Sequence, residues 1–324
     1  MTAHASPSGH ASDGLAPAVS VVLCTFNRAD MLAGALDALV HQAGDTPPYE
    51  VLVVDNNSTD HTRGVVRLFE QDGRVRYQLE PRQGLSTARN RGIGAARADV
   101  IAFTDDDVRV AADWIGTLAR IFAAHPDIDM AGGKVEPQWE APPPAWLASA
   151  GTAPLALVDY GDTPLRITSD EARCLVGANL AVRRRVFDRV GLFSTALQRV
   201  ENGIGSTEDH EMELRVLAAG GTGLYDPRLV VRARVPPARL TKQYHRAWHA
   251  GHGRFFALMR DPSFEGPRRR ALLGVPLHVY RKMGRELAAW TGDVLRLQPS
   301  AAFRRELRLR FLVGFTQQRI FGRM

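Results

Sequence analysis

Short apolar runs alternate with amphipathic stretches along the first part of the chain. Residues 19–24, 51–54 and 100–103 form continuous or nearly continuous apolar runs, as expected for strands that are buried on both faces. Between these runs, apolar residues such as Leu32 and Leu36 recur every three or four positions. This alternation of strands and helices predicts an α/β fold with a mostly parallel sheet and helices on both faces.

Three of the predicted helices follow a residue that can cap a helix N-terminus. Asp30, Ser86 and Asp113 each stand before a periodic apolar stretch. The side-chain oxygen of such a residue can accept a hydrogen bond from a backbone N–H of the first turn. We therefore expect helices to begin directly after these three residues.

The last part of the chain carries two apolar stripes of helical period. One runs to Pro299 and comprises Tyr280, Met283, Leu287, Trp290, Val294 and Leu297, and the other comprises Phe303, Leu307, Phe311 and Phe315. Steps of three and four are typical of amphipathic helices, and we expect such faces to pack against the rest of the chain or a partner. Arg304 and Arg308 lie close to the second stripe, so that helix is imperfectly amphipathic.

Charge is distributed unevenly along the 324 residues. Residues 1–238 hold 23 Lys and Arg against 30 Asp and Glu, whereas residues 239–324 hold 18 against 5. A shift of this size predicts a boundary near Pro237. The predicted divisions are a disordered tail at 1–16 without signal-peptide features, a catalytic domain at 17–238 and a basic helical extension at 239–324.

Cysteine content and hydropathy indicate the cellular compartment in which we expect the protein. The two cysteines, Cys24 and Cys174, form neither a disulfide pattern nor a metal-binding pattern. This usage is typical of a reducing compartment, so we expect a cytoplasmic protein. No apolar run approaches the ~18 residues that a membrane-spanning helix needs.

Three adjacent carboxylates follow the apolar run at residues 100–103. Asp105, Asp106 and Asp107 carry like charges that repel one another unless a cation or a proton neutralises them. Closely spaced carboxylate oxygens suit a hard divalent cation, Mg²⁺ or Mn²⁺, which usually keeps positions open for phosphate oxygens. The cluster therefore predicts a metal-assisted nucleotide diphosphate site.

Polar residues also follow the first two predicted strands. They are Thr25, Asn27 and Arg28 after the first strand, and Asp55, Asn57, Ser58 and Asp60 after the second. Ligands of open α/β sheets bind beyond the carboxyl ends of the strands, so three polar strand ends together predict a binding site. An alternative is that the second group only forms a turn, since these residue types favour turns. The chain has no glycine-rich phosphate loop, and Arg28, Arg82, Arg89 and Arg91 are the candidates for holding phosphate.

The order of these motifs resembles family 2 glycosyltransferases of the GT-A fold. The matching segments are residues 19–28, 51–60, 84–92, 105–107, 177–184 and 208–215. The resemblance covers roughly residues 17–240. It implies a GT-A, Rossmann-like sheet and an enzyme that uses a nucleotide-diphosphate sugar.

The resemblance also implies a role for each matching residue. Those expected to bind the donor nucleotide are Thr25, Asn27, Arg28, Asp55, Asn57, Ser58, Arg89, Asp105 and Asp106. Asp105 and Asp107 are the implied ligands of Mn²⁺ or Mg²⁺. Asp209 is the implied general base, which would take the proton of the acceptor hydroxyl in a single inverting displacement. The acceptor side is expected at Gly177, Ala178, Asn179 and Glu208. The acidic residues at 208–211 also fit an ordinary first helical turn, where they complement the helix dipole.

The chain departs from the family at one expected metal ligand. Many relatives have a His after the strand that follows the Glu-Asp motif, whereas Ala233 or Arg234 stands there in this sequence. The hypotheses are that carboxylate and diphosphate hold the metal alone, or that Arg232 or Arg234 supplies positive charge to the leaving group. His245, His249 and His252 share one helical face and could supply a ligand, although ordinary positions on a helix explain them as well.

The resulting functional hypothesis is a metal-dependent, inverting glycosyltransferase of polysaccharide, glycolipid or cell-envelope biosynthesis. Its partners would be a nucleotide-diphospho-sugar and a carbohydrate or lipid-linked acceptor. A nucleotidyltransferase and a non-catalytic nucleotide-sugar-binding protein are the alternatives. The basic helices predict peripheral contact with the inner face of the cell membrane. Nucleic acid is not expected as a partner, since no recognised nucleic-acid module accompanies the charge.

Overall fold

The computed structural model describes residues 16–200, 203–265 and 270–322. The predicted tail lies outside the described residues except for Ala16. The strands are β1 (Val19–Thr25), β2 (Tyr49–Asp55), β3 (Val75–Leu79), β4 (Val100–Asp105), β5 (Val108–Val110), β6 (Met130–Trp139), β7 (Leu165–Ile167), β8 (Leu180–Arg183), β9 (Gly223–Val235), β10 (Ala271–Leu272) and β11 (Val275–Pro276). The helices are α1 (Ala29–Val40), α2 (Thr62–Glu70), α3 (Leu85–Ala95), α4 (Trp114–Ala124), α5 (Leu147–Ala150), α6 (Arg184–Val190), α7 (Glu208–Ala218), α8 (Lys242–Met259), α9 (Pro262–Glu265), α10 (Leu277–Leu295) and α11 (Pro299–Phe321). Short 3₁₀ turns lie at Ala153–Leu155, Gly177–Asn179 and Pro237–Leu240.

A nine-stranded sheet organises the first part of the chain. Its order is β3-β2-β1-β4-β8-β6-β9-β5, with β7 also paired to β9. The parallel ladders β3-β2, β2-β1, β1-β4 and β6-β9 are longer than the antiparallel ones, which join only three or four residue pairs each. The mostly parallel α/β sheet predicted from the apolar runs is therefore confirmed.

Burial explains why the apolar runs predict the central strands. Every residue of β1 and β2 is buried, because helices cover both faces of the sheet as in other α/β proteins. The parallel pairing brings the ends of neighbouring strands together: Thr25 pairs with Asp55, and Cys24 pairs with Asp105. The polar residues after these strands consequently lie at one edge of the sheet.

Two of the three predicted helices begin before their expected cap residue, and residues from elsewhere in the chain bind the first turn of all three. Helix α1 begins at Ala29, before Asp30, and the Ala29 N–H donates to Asp60 at 3.1 Å. Helix α3 begins at Leu85, before Ser86, and the Thr87 N–H in its first turn donates to Gln198 at 3.0 Å. Asp113 does precede α4, but its side chain accepts no cap hydrogen bond. The Ile115 N–H of α4 donates to Gln42 at 2.9 Å instead.

The C-terminal part of the chain is helical, as predicted. Helices α8 and α11 lie so close that a Cβ on Gly253 or Gly314 would collide with the backbone of the other helix. A small apolar core between these helices and α10 contains Ala257, Val275, Val279, Leu312 and Phe315. Trp146 connects this part to the sheet domain through edge contacts with His245 at 4.9 Å and Phe303 at 5.3 Å.

The first predicted C-terminal stripe is only partly covered. Tyr280 and Met283 pack against the small apolar core, whereas Leu287, Val294 and Leu297 of the same stripe are exposed. Among the helices of the described residues, none is long and apolar enough to cross a bilayer.

Candidate active site

A cavity of about 860 Å³ opens at the carboxyl ends of β1 and β4. Thr25 and Arg28 after β1 line it together with the three aspartates that follow β4. The opposite wall comes from the turn containing Gly177, the N-terminus of α7 and the segment between β9 and α8. The cavity therefore collects residues from strand ends that are distant in the sequence.

Asp106 is the most enclosed of the three aspartates. One of its carboxylate oxygens accepts a hydrogen bond from the Thr25 hydroxyl at 2.8 Å, and the other accepts from Arg28 Nη1 at 2.9 Å. Burial raises the pKa of Asp106 to about 6, although the Arg28 guanidinium acts in the opposite direction. Asp106 thus joins the ends of β1 and β4.

Asp105 and Asp107 are more open to the cavity. The Asp105 side chain is 29% exposed, and its ion pair with Arg89 is long, at 3.8 Å. Asp107 Oδ2 accepts hydrogen bonds from Arg28 at 3.4 Å and from Arg239 at 3.2 Å. Burial raises the pKa of Asp105, while Arg89 lowers it. Arginines therefore balance much of the negative charge in the cluster.

These two carboxylates fit a hard divalent cation in ligand type, since both offer oxygen atoms beside the cavity. No third protein ligand joins them: among the described residues, no group of three His, Cys, Asp or Glu side chains could hold a metal ion. Ala233 and Arg234 occupy the positions where a His was considered. A metal at this site would need further oxygen ligands from phosphate or water.

None of the three histidines of α8 joins the aspartates in a possible metal site among the described residues, although His252 lines the cavity. His245 is fully buried against Trp146. His249 Nδ1 lies 2.8 Å from the carbonyl of His245. His252 stacks on Trp248 with ring centroids 4.4 Å apart, and its Nδ1 lies 3.3 Å from the Gly205 carbonyl. Burial lowers the pKa of both His245 and His252 to about 4, so both are neutral near pH 7.

Asp209 lies in the first turn of α7 and lines the cavity. Its Oδ2 accepts a hydrogen bond from the Gly177 N–H at 3.0 Å, and its Oδ1 accepts from the His210 N–H at 2.8 Å. The helix N-terminus also favours the negative charge of this carboxylate. Two backbone donors and the helix thus fix the orientation of Asp209.

Glu208, next to Asp209, has a different environment. It is buried and pairs with the equally buried Arg89 at 2.8 Å. Burial and Asp209 raise the pKa of Glu208, and Arg89 partly offsets this shift. The Arg89 guanidinium lies so close to Gly177 that a Cβ there would displace it. Arg89 therefore connects Glu208 to Asp105, which lies on its other side.

Several residues expected to bind the nucleotide also make hydrogen bonds within and between the segments that follow the strands. Asp55 accepts hydrogen bonds from the Ser58 N–H at 2.8 Å and the Tyr77 hydroxyl at 2.9 Å. Asn27 accepts from the Thr59 N–H at 2.7 Å, and both Asn27 and Asn57 have positive φ angles. Asp55, Asn27, Asn57 and Ser58 are not among the residues that line the cavity. Their role in nucleotide binding stays a prediction.

Only part of the turn that is expected to bind the acceptor lines the cavity. Gly177 and Ala178 line the cavity. Asn179 is buried outside it: its Oδ1 accepts from Trp114 Nε1 at 2.8 Å, and its Nδ2 donates to the carbonyls of Lys134 and Leu229. These hydrogen bonds thus hold Asn179 and its turn in place. A role of Asn179 in acceptor binding stays a prediction.

Comparison with known proteins decides the family. Residues 20–191 match the model of glycosyl transferase family 2, which is more than half of the chain. The chain belongs to glycosyl transferase family 2. This confirms the family inferred from the order of the motifs.

Curated relatives and solved structures agree with this family 2 assignment. A glucosyl-dolichyl phosphate glucuronosyltransferase of Haloferax volcanii is 28% identical over 207 residues, which is 63% of this chain and 64% of that protein. The GalNAc(5)-diNAcBac-PP-undecaprenol beta-1,3-glucosyltransferase of Campylobacter jejuni is 34% identical over 105 residues, 32% of this chain and 33% of that protein. The mannosyltransferase PcManGT of Pyrobaculum calidifontis, solved with GDP-Man and Mn²⁺, superimposes with a TM-score of 0.62 at 20% identity, covering 96% of this chain and 89% of that one. The structural likeness confirms the GT-A fold.

The family 2 motifs did not identify every residue of the cavity. Arg239 contacts Asp107, and Arg199 and Trp248 line the same space. Arg232 pairs with Glu136 and Arg234 pairs with Glu140, and of these two arginines only Arg234 lines the cavity. A role for either arginine at the leaving group stays a prediction. Arg239 could not be singled out from the sequence, because only the turn after β9 brings it to the cavity.

Proposed function

We propose that this glycosyltransferase transfers a sugar from a nucleotide-diphosphate donor to an acceptor hydroxyl, with inversion at the anomeric carbon. One observation carries the proposal: a single cavity holds the arginine-balanced aspartates at one side and the oriented Asp209 at the other. The first group suits a diphosphate and the second suits a nucleophile that must lose a proton. The family favours sugar transfer over nucleotidyl transfer.

The diphosphate side would combine fixed positive charge with a divalent cation. Arg28 reaches Asp106 and Asp107 from the end of β1, beside the cavity. Asp105 and Asp107 would hold Mn²⁺ or Mg²⁺, and the solved mannosyltransferase contains Mn²⁺ with its GDP-Man. The cation, when bound, would stabilise the negative charge that builds on the departing diphosphate.

Asp209 would act as the general base. A carboxylate within hydrogen-bond reach can take the proton of an acceptor hydroxyl as that hydroxyl attacks. The Gly177 N–H and the His210 N–H hold both oxygens of Asp209 in place. A base on the face opposite the leaving group would give inversion in one displacement.

For the acceptor, we propose a lipid-linked carbohydrate. The residues that line the cavity include the apolar side chains of Pro154, Leu155, Trp248 and Phe256. The names of both curated relatives refer to lipid-linked sugars, on dolichyl phosphate and on undecaprenol. Apolar side chains in the same cavity as Asp209 suit an acceptor that carries a lipid.

The C-terminal helices would bring the cavity to the cytoplasmic surface of a membrane. Leu287, Leu295 and Leu297 are exposed, Leu295 by 78% and Leu297 by 87%. Exposed basic residues, including Arg281, Arg285 and Arg296, lie on the same helix or directly after it. Exposed leucines beside arginines suit a surface of anionic lipid, where apolar insertion and charge attraction add.

The catalytic proposal is tested by measuring nucleoside diphosphate release from a panel of UDP- and GDP-sugars with Mn²⁺ and a polyprenyl-phosphate sugar. We expect one donor to be consumed with release of its nucleoside diphosphate and formation of glycosylated lipid. A donor that binds and raises the melting temperature but is never turned over would favour the non-catalytic alternative.

The membrane proposal is tested by flotation with liposomes that contain phosphatidylglycerol. Glu in place of Leu287 and Leu295 should abolish flotation, and the matched change Leu68→Glu on exposed Leu68 of α2 should not. Surface substitutions are preferable to deletion of α11, because α11 packs closely on α8. Equal flotation of all three proteins, or none by the unaltered protein, would contradict the proposal.

A further inference from the structure

Among the described residues, Asp107 is the aspartate of the cluster that pairs with two arginines. Its Oδ2 accepts from Arg28 and Arg239, and its side chain is only 14% exposed. The Asp107 carbonyl also accepts a hydrogen bond from the Arg234 N–H at 3.0 Å. The same oxygen that would face a metal ion therefore already has two cationic partners.

Arg239 differs from Arg28 in what else it contacts. Arg28 also binds Asp106, which keeps it attached to the strand ends. Arg239 lies in the turn Pro237–Leu240 between the sheet and α8, its side chain is 23% exposed, and it lines the cavity. A guanidinium in this position can exchange its carboxylate partner for phosphate oxygens, which it binds in the same planar, bidentate manner.

We propose that Arg239 makes metal binding dependent on the donor. Without a donor, the Arg239 guanidinium occupies Asp107 Oδ2 and repels a divalent cation. When the donor enters, its diphosphate draws Arg239 away, so that Asp107 Oδ2 loses one of its two arginine partners and the phosphates supply the remaining oxygen ligands. This inference rests on the proposed nucleotide-sugar function, and it gives a role to a residue that the motifs of the chain do not mark.

The proposal also accounts for the absence of a His at positions 233 and 234. A third protein ligand would let the site hold a metal before the donor arrives. Two carboxylates, both of them paired with arginine, instead make the metal and the donor bind as a pair. The positive charge that remains after exchange, on Arg28 and Arg239, lies where a departing diphosphate gains charge.

The first test measures Mn²⁺ binding to the donor-free protein by calorimetry and by the electron paramagnetic resonance of free Mn²⁺. Arg239→Gln should bind Mn²⁺ about tenfold more tightly than the unaltered protein, because one cationic partner of Asp107 is lost. Arg232→Gln is the matched control, since Arg232 is 65% exposed and pairs with Glu136 away from the aspartates. Its Mn²⁺ affinity should not change.

An equal Mn²⁺ affinity of the Arg239→Gln and unaltered proteins would overturn the proposal. This readout needs no donor or turnover, so it stands even if the proposed sugar transfer fails. Circular dichroism of each variant shows whether it is folded. Arg239→Lys gives a second measurement, because lysine keeps the positive charge but lacks the planar guanidinium that binds a carboxylate through two N–H groups. The Mn²⁺ affinity of this variant should lie between those of the unaltered protein and Arg239→Gln.

The second test measures turnover once a donor is known. Arg239→Gln should raise the donor KM at saturating Mn²⁺ and reduce the dependence of Mn²⁺ affinity on donor concentration. Arg239→Lys should restore part of the donor affinity. If Mn²⁺ and donor affinities stayed as strongly coupled in Arg239→Gln as in the unaltered protein, Arg239 would have no part in the coupling.

Discussion

The sheet domain and the C-terminal helices differ in how far their charged side chains are buried and paired. Around the cavity, Arg89 and Glu208 form a pair that is buried on both sides, and the buried Asp106 pairs with the partly exposed Arg28. On the C-terminal helices, pairs such as Arg246 with Glu306 are partly exposed. Basic residues in this part of the chain outnumber the acidic ones. Buried charges are costly unless they are paired, whereas exposed ones cost little.

The difference is the one we expect if the cavity carries the proposed chemistry and the C-terminal helices make the proposed membrane contact. Buried, mutually oriented carboxylates cluster where a reaction needs preorganised groups. The C-terminal helices depend on close backbone packing for stability, and their positive charge is left available to a partner. Changes that remove charge should therefore have large effects in the first region and small effects in the second.

The largest effect is expected for Asp209→Asn. The amide oxygen can still accept the Gly177 N–H hydrogen bond, but the NH2 group cannot accept the bond from the His210 N–H, and the amide cannot take a proton. We expect kcat to fall by about 10²- to 10⁴-fold, with a loss of about 1 kcal/mol in stability from the missing hydrogen bond. Steady-state kinetics with the active donor and thermal unfolding together measure this. Glu211→Gln is the control, because Glu211 is in the same helical turn but pairs with Arg215. Normal turnover by Asp209→Asn would remove the residue from the proposed role.

The next effect concerns the stability of the buried pair. Glu208→Ala should lower the free energy of unfolding by about 3–5 kcal/mol, because it leaves the Arg89 guanidinium buried beside a missing partner. Glu306→Ala removes a more exposed partner from Arg246 and should cost less than about 1 kcal/mol. Urea unfolding of both variants compares the two regions directly. Equal losses would show that burial of the pair does not set its contribution.

The apolar runs predict the central strands well, because burial on both faces leaves a continuous signal. β6 carries no such signal, since Gly132, Gly133 and Pro137 interrupt it. Strand β8 has only four residues. Helix starts were less predictable than helices themselves, because side chains such as Asp60 and Gln198 reach them from other segments.

The motifs place Asp105, Asp107 and Asp209 around one cavity, but they do not show which neighbours balance the charge. Arg239 is 132 positions from Asp107, and no local pattern connects the two. Nor does the sequence distinguish Asn179, which fixes a buried turn, from Gly177, which lines the cavity. These distinctions depend on tertiary contacts.

A smaller effect should appear in the pH dependence of stability. Burial lowers the pKa of His245 from 6.5 to about 4, and His249 on the same helix contributes. Between these values the unfolded chain binds a proton that the folded protein does not. The contribution of His245 to the free energy of unfolding is therefore fully present above pH 6.5. It is lost as the pH falls toward 4, by at most about 3 kcal/mol.

The variant His245→Phe isolates this contribution, because a phenyl ring can keep the edge contact with Trp146. Unfolding free energies of both proteins should be measured from pH 7.5 to pH 4. Carboxylates titrate in both proteins, so the difference between the curves reports His245. We expect the variant to lose less stability on acidification. Parallel curves would show that His245 titrates normally in the folded state.

The smallest effect tests the packing of the C-terminal helices. Ala in place of Gly normally stabilises a helix interior by about 0.5–1 kcal/mol, and Gly284 in α10 has open space around its Cβ position. Gly284→Ala should therefore raise stability by that amount. Gly253→Ala should instead lower it by about 1–3 kcal/mol, because the new Cβ would meet the Phe311 carbonyl of α11. Thermal and urea unfolding of the two variants measure the difference in sign. Stabilisation by both would mean that α8 and α11 can separate without cost, and that these helices are not held together by close backbone contact.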